Sequence, residues 1–135
     1  MLGCGLSFST VFGSTTRRFA MHKGSCQCGQ TTFLIAASEF GDVRECNCSH
    51  CLRKGYLLWF IPRHLLDVTS GESELSSYTF NKHVLQHKFC PKCGCAPFAV
   101  GKAPSGDEMA AINIRCLEGI DLASIKIAQV NGRAI

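Results

Sequence analysis

Phe89-Cys90-Pro91-Lys92-Cys93-Gly94 is the stretch on which the fold turns. Two cysteines three residues apart, with a proline opening the turn and a glycine free to take positive φ after the second, put both sulfurs on one side of a tight turn. Backbone N–H groups of such a turn can face the thiolates and offset their charge. The knuckle supplies two ligands, whereas a closed structural zinc needs four. Cys26-Gln27-Cys28 can supply the other two. In an extended segment residues i and i+2 face the same way, so both sulfurs meet one point while Gln27 is directed away. Tetrahedral zinc with Zn–S near 2.3 Å needs sulfurs about 3.8 Å apart, which this spacing reaches after a small bend. The expectation is a Cys4 structural zinc on Cys26, Cys28, Cys90 and Cys93, tying the beginning of the domain to a later hairpin.

The chain has ten cysteines among 135 residues, and they are bunched. Disulfide frameworks belong to short secreted chains with spread cysteines, and sulfurs two or three residues apart bridge each other only with strain. Metal binding is the better reading. The remaining cluster, Cys46-Asn47-Cys48-Ser49-His50-Cys51, offers three thiolates with no obvious fourth. Three protein ligands and an open position are how catalytic zinc is held, so the chemistry is placed here. A three-thiolate zinc is a weak Lewis acid, which favours a soft ligand such as a substrate thiolate over water activation. Closure of the site by His50, or by Cys95 or Cys116, and a metal-free trio of thiols stay open as alternatives. His22, His64, His83 and His87 show no metal spacing to any cluster.

Hydrophobic residues make up 46% and charged residues 18% of the sequence, enough for one folded domain. The longest apolar run, Tyr56 to Ile61, is far too short to span a bilayer, so no membrane partner is expected. The formal charge of +4 falls to about +1 once seven thiolates bind two zinc ions. Lys and Arg are scattered, and no nucleic-acid partner is expected. Residues 1–20 carry Ser, Thr and Arg but no acid, and precede Met21. They read as a disordered extension or, alternatively, an organelle-targeting segment, leaving residues 21–135 as a single domain in the cytoplasm.

Thr31–Ala37, Tyr56–Ile61 and Met109–Arg115 read as strands, and Tyr78–Phe80 with Val84–Phe89 as a hairpin around an Asn81-Lys82 turn. Asp121 is expected to cap a short turn through Ile125. The fold class is mainly β. Trp59 and Phe60 are expected in the core, and Arg115 in a surface ion pair in preference to a carboxylate-binding role.

Four ordered motifs, Lys23-Gly24-Ser25-Cys26-Gln27-Cys28-Gly29, Cys46 through Gly55, Phe89 through Gly94, and Asn113-Ile114-Arg115-Cys116-Leu117-Glu118-Gly119, resemble those of the glutathione-dependent formaldehyde-activating enzyme family, which includes centromere protein V. The resemblance implies a Mss4-like fold of small, coiled antiparallel sheets with two zinc ions per chain. It places the structural zinc on Cys26, Cys28, Cys90 and Cys93, and the second zinc on Cys46, Cys48 and Cys51. It further implies carbon-sulfur lyase activity on a glutathione (or other thiol) adduct of formaldehyde or a small aldehyde. A thiol- or zinc-binding carrier and a protein-interaction domain are the alternatives. The chain is short beside full-length members with that activity, and Cys95 stands where the pattern often has a hydroxyl residue. Sequence names no general base and no oligomeric state.

Overall fold

The computed structural model describes residues 21–80 and 84–134. The N-terminal extension and the Asn81-Lys82 turn expected from the sequence therefore lie outside the described residues. Ten strands and one helix follow in the order β1 (His22–Ser25), β2 (Thr32–Ile35), β3 (Val43–Cys46), α1 (Ser49–Lys54), β4 (Leu58–Pro62), β5 (Leu66–Ser70), β6 (Ser76–Tyr78), β7 (Leu85–Phe89), β8 (Phe98–Lys102), β9 (Glu108–Asn113) and β10 (Ala128–Val130). They form a seven-stranded sheet, β10-β3-β4-β9-β8-β7-β6, and a three-stranded sheet, β1-β2-β5. The fold is mainly β, as the sequence implies. All pairings are antiparallel except that of β10 with β3, which is parallel.

The continuous apolar run of β4 follows from its position. Its side chains alternate between two covered faces, so neither set of positions needs to be polar. Trp59 and Ile61 enter the main core with Phe98, Ala110 and Ile112, against Phe33, Ile35 and Leu66 of the smaller sheet. Phe33 and Phe98 meet edge to face at 5.7 Å between the two sheets. Leu58 and Phe60 turn to the opposite face, where a second cluster gathers Cys51, Tyr56, Ala99 and Ala111. Trp59 is thus core, as expected, whereas Phe60 is only partly buried and lines a cleft.

Two local expectations hold, the second with its first strand at Ser76–Tyr78 in place of Tyr78–Phe80. Asp121 Oδ1 accepts from the Ala123 N–H at 3.2 Å and caps a single 3-10 turn, Leu122–Ser124. β6 and β7 form the hairpin that delivers the third cysteine cluster, with Tyr78 opposite His87 and Ser76 opposite Phe89. Arg115 differs from the surface ion pair expected of it: its Nε donates to the Gly55 carbonyl oxygen at 3.1 Å. Arg115 lies in the 3-10 turn Ile114–Cys116 that follows β9, from which it reaches the glycine capping α1.

Candidate functional site

The tertiary structure brings the CxC and CxxC pairs together. The sulfurs of Cys26, Cys28, Cys90 and Cys93 all lie within 4.8 Å of one another. Cys26 to Cys28 and Cys28 to Cys90 are each 3.7 Å, against about 3.8 Å for four thiolates around tetrahedral zinc. Cys26 and Cys90 are buried, with 2% and 0% of their surface exposed, so the group is anchored from inside. The CxC segment differs from the extended form expected. It is a turn, closed by a Gly29 N–H to Cys26 oxygen bond of 3.2 Å, with Gly29 at φ 82°. The turn reaches the same sulfur spacing and brings the Thr31 N–H to Cys26 Sγ at 3.4 Å. In the CxxC knuckle Gly94 takes φ 82°, the left-handed value anticipated for it, and its N–H closes onto the Cys90 oxygen at 2.7 Å. Backbone N–H groups, that of Cys95 first and that of Cys28 next, hold the Cys93 thiol down at about 6.

Cys46, Cys48 and Cys51 form the second group, again with all sulfurs within 4.8 Å. Cys46 ends β3, Cys48 is the N-cap of α1, and Cys51 lies in its first turn. Cys48 Sγ accepts the Cys51 N–H at 3.3 Å, the bond that a serine or aspartate oxygen makes at an ordinary N-cap. Cys46 Sγ accepts the Cys48 N–H at 3.4 Å. The sequence reading missed this helix, although its stop signal was present: Arg53-Lys54 in the last turn, then Gly55 at φ 71°. Burial pushes the Cys51 thiol up, with Cys48 and Cys46 adding to it. Burial is the largest influence on Cys48 and opposes its ionisation, yet the N–H groups of Cys51 and His50 together with the Cys51 and Cys46 thiols outweigh it, and Cys48 is held below the ordinary thiol range. Three sulfurs this close cannot all ionise on their own, whereas a cation among them would make all three thiolates. Both donor sets fit a zinc ion.

Among the described residues no fourth Cys, His, Asp or Glu atom joins the three-sulfur group. His50 packs its ring instead against Tyr56, Tyr78, Phe80 and His87. Cys95 and Cys116 stay outside both groups, and the Cys116 thiol is pushed up to about 12 by burial and then by neighbouring Cys95.

The three sulfurs stand on the wall of a cleft of about 300 Å³, shared with Phe60, Phe80, Leu85 and His87. His87 is 3% exposed, and its ring lies 4.5 Å from that of His50, centroid to centroid. Burial, then His50 and Lys54, pushes it down to about 4, so it is neutral at pH 7. Its Nδ1 is buried without a partner among the described residues. Sequence reasoning set His87 aside because it lacks metal spacing. The alternation of Leu85, His87 and Phe89 along β7 was the signal that it shares their face.

Residues 21–128 match the sequence model of the glutathione-dependent formaldehyde-activating enzyme family. The chain belongs to that family. A crystal structure of a Rhodobacter sphaeroides protein is similar at 28% identity and a TM-score of 0.69, covering 80% of this chain and 99% of that one. In this member of the formaldehyde-activating family, a strap beyond the matched span completes the site. β10 pairs with β3 beside Cys46, the Asn47 N–H donates to the Val130 oxygen at 3.2 Å, and Arg133 Nε donates to the Asn47 oxygen at 3.0 Å. Gly132 lies so close to Cys46 Sγ that a Cβ would have no room.

No helix among the described residues is long and apolar enough to cross a membrane.

Proposed function

We propose that this protein is a zinc-dependent carbon-sulfur lyase that makes or breaks the adduct of a thiol, glutathione or another, with formaldehyde or a small aldehyde. One observation supports the reading: three cysteine sulfurs converge on a cleft wall with no fourth ligand among the described residues, while a separate group has a complete set of four. Cys26, Cys28, Cys90 and Cys93 would hold a structural zinc, and Cys46, Cys48 and Cys51 a second. A second zinc so held would take the substrate sulfur in its open position and lower the pKa of that thiol.

The chain's own residues do the rest. The cleft brings aldehyde and sulfur together and excludes water along its apolar walls. In the forward direction a sulfur lone pair forms the C–S bond, the carbonyl π pair moves to oxygen, and that oxygen takes up a proton equivalent to the one the thiol lost. The reverse step breaks the C–S bond and returns the proton to sulfur. Neutral His87 is the imidazole on the cleft wall able to exchange that proton. Val84 and Phe80 flank the opening, and the strap from Val130 to Gly132 backs the sulfurs.

Native mass and metal analysis are expected to find two zinc ions per chain. Exchange measurements by NMR on formaldehyde with glutathione are expected to show faster adduct formation with protein, and no acceleration with Cys48→Ser. Equal rates with and without the zinc-loaded protein overturn the proposal.

A further inference from the structure

We infer that the thiol this site takes carries a hydrocarbon group, and that the cleft beside Cys46, Cys48 and Cys51 holds that group. The inference rests on the thiol-adduct reading above and narrows it.

The walls set the chemistry. Leu58 and Phe60 come from one face of β4, Phe80 and Val84 from the two sides of the β6–β7 connection, Leu85 from β7 and Val130 from β10. Burying hydrocarbon against them gains about 25 cal/mol per Å². Burying an unpaired polar or charged group there costs several times more. The cleft, at about 300 Å³, is at the small end of ligand sites and far larger than a two-heavy-atom aldehyde needs.

Charge points the same way. Among the described lining residues Arg44 is the only one with a full charge, and none is acidic. Arg44 is already committed, because Nε and Nη2 donate to the two Asp42 carboxylate oxygens at 2.8 and 2.9 Å. Its guanidinium also lies 4.8 Å above the Phe60 ring centroid. His87, the remaining ionisable group besides the cysteines, is neutral. Glutathione brings two carboxylates and an ammonium, for which the described lining residues offer no free counter-charge. A hydrocarbon thiol brings none of them.

Part of this shape lies outside what the family match covers. The match ends at residue 128, whereas Val130 and Gly132, which form the wall beside Cys46, follow it. That wall leaves no space behind Cys46 Sγ, so a group attached to a sulfur held beside these cysteines has the apolar cleft as its room.

The test is calorimetric binding to the zinc-loaded protein, with ethanethiol through hexanethiol as a chain-length series and glutathione beside them. Affinity is expected to rise about threefold per added methylene and to exceed that for glutathione at least tenfold at hexanethiol. Val84 is an exposed rim residue, so Val84→Asp should fold, as its circular dichroism will report, and should weaken hexanethiol at least fivefold. Glutathione binding with a flat alkyl series and an unaffected Val84→Asp overturns this inference while leaving the thiol-adduct reading intact. Absence of binding by every thiol overturns both.

Discussion

His87 puts a number on the cost of the aromatic cluster beside the three-sulfur group. Its ring is buried among His50, Tyr56 and Phe80, with Lys54 of α1 adding positive charge, and is pushed from 6.5 to about 4. Because the folded value lies below the unfolded one, the unfolded chain takes up a proton in acid that the folded chain refuses. Stability is therefore fully present above about pH 6.5 and is lost as pH falls toward about 4. The full effect is about 3 kcal/mol at 1.36 kcal/mol per pH unit, of which about 2 kcal/mol falls between about pH 7 and pH 5. Urea melts of the zinc-loaded wild type and His87→Phe across that range are the assay. Acid release of zinc acts on both proteins and cancels in the difference, leaving the slope due to His87. Wild type should lose about 2 kcal/mol more than the variant, and NMR titration should find the His87 ring still neutral near about pH 5. Equal slopes, or a ring titrating near its ordinary value, would refute the claim that burial controls this group.

Further outcomes follow from the geometry. Gly132→Ala drives a Cβ into Cys46 Sγ and to 3.0 Å from Cys48 Cβ, so native mass should show one zinc retained and the second lost or weakened. Gly24→Ala meets the tip of the Phe33 ring and the Cys116 carbonyl oxygen, the latter at 2.9 Å, and should lower stability by about 1–3 kcal/mol in denaturant melts without changing zinc content. Stripping zinc with a strong chelator should unfold the protein by circular dichroism, because structural zinc contributes roughly 10–16 kcal/mol where a domain has about 5–15 to spare. Cys90→Ser, buried in the four-sulfur group, should do the same, whereas Cys48→Ser should leave a folded protein with one zinc.

Short-range chemistry was legible along the chain. The CxxC knuckle with its left-handed glycine, the Asp121 cap, the β6–β7 hairpin and the apolar strand around Trp59 all depend on neighbours a few residues apart, where covalent geometry limits the choices. The convergence of the three CxCxxC sulfurs was readable for the same reason, although the helix that this motif begins was not. Six residues of α1 leave too short a periodic signal, and a cysteine is an unfamiliar N-cap.

What the linear order could not contain is the cleft. Phe60 and His87 look like ordinary strand residues until the pleat turns them to the face opposite Trp59, and the pairing of β10 with β3 carries Val130 and Gly132 onto Cys46. Residue type and spacing determined which atoms could hold metal. Which side chains face those atoms was decided by strand register and by contacts between segments distant along the chain, whose free energy exists only once the chain has folded.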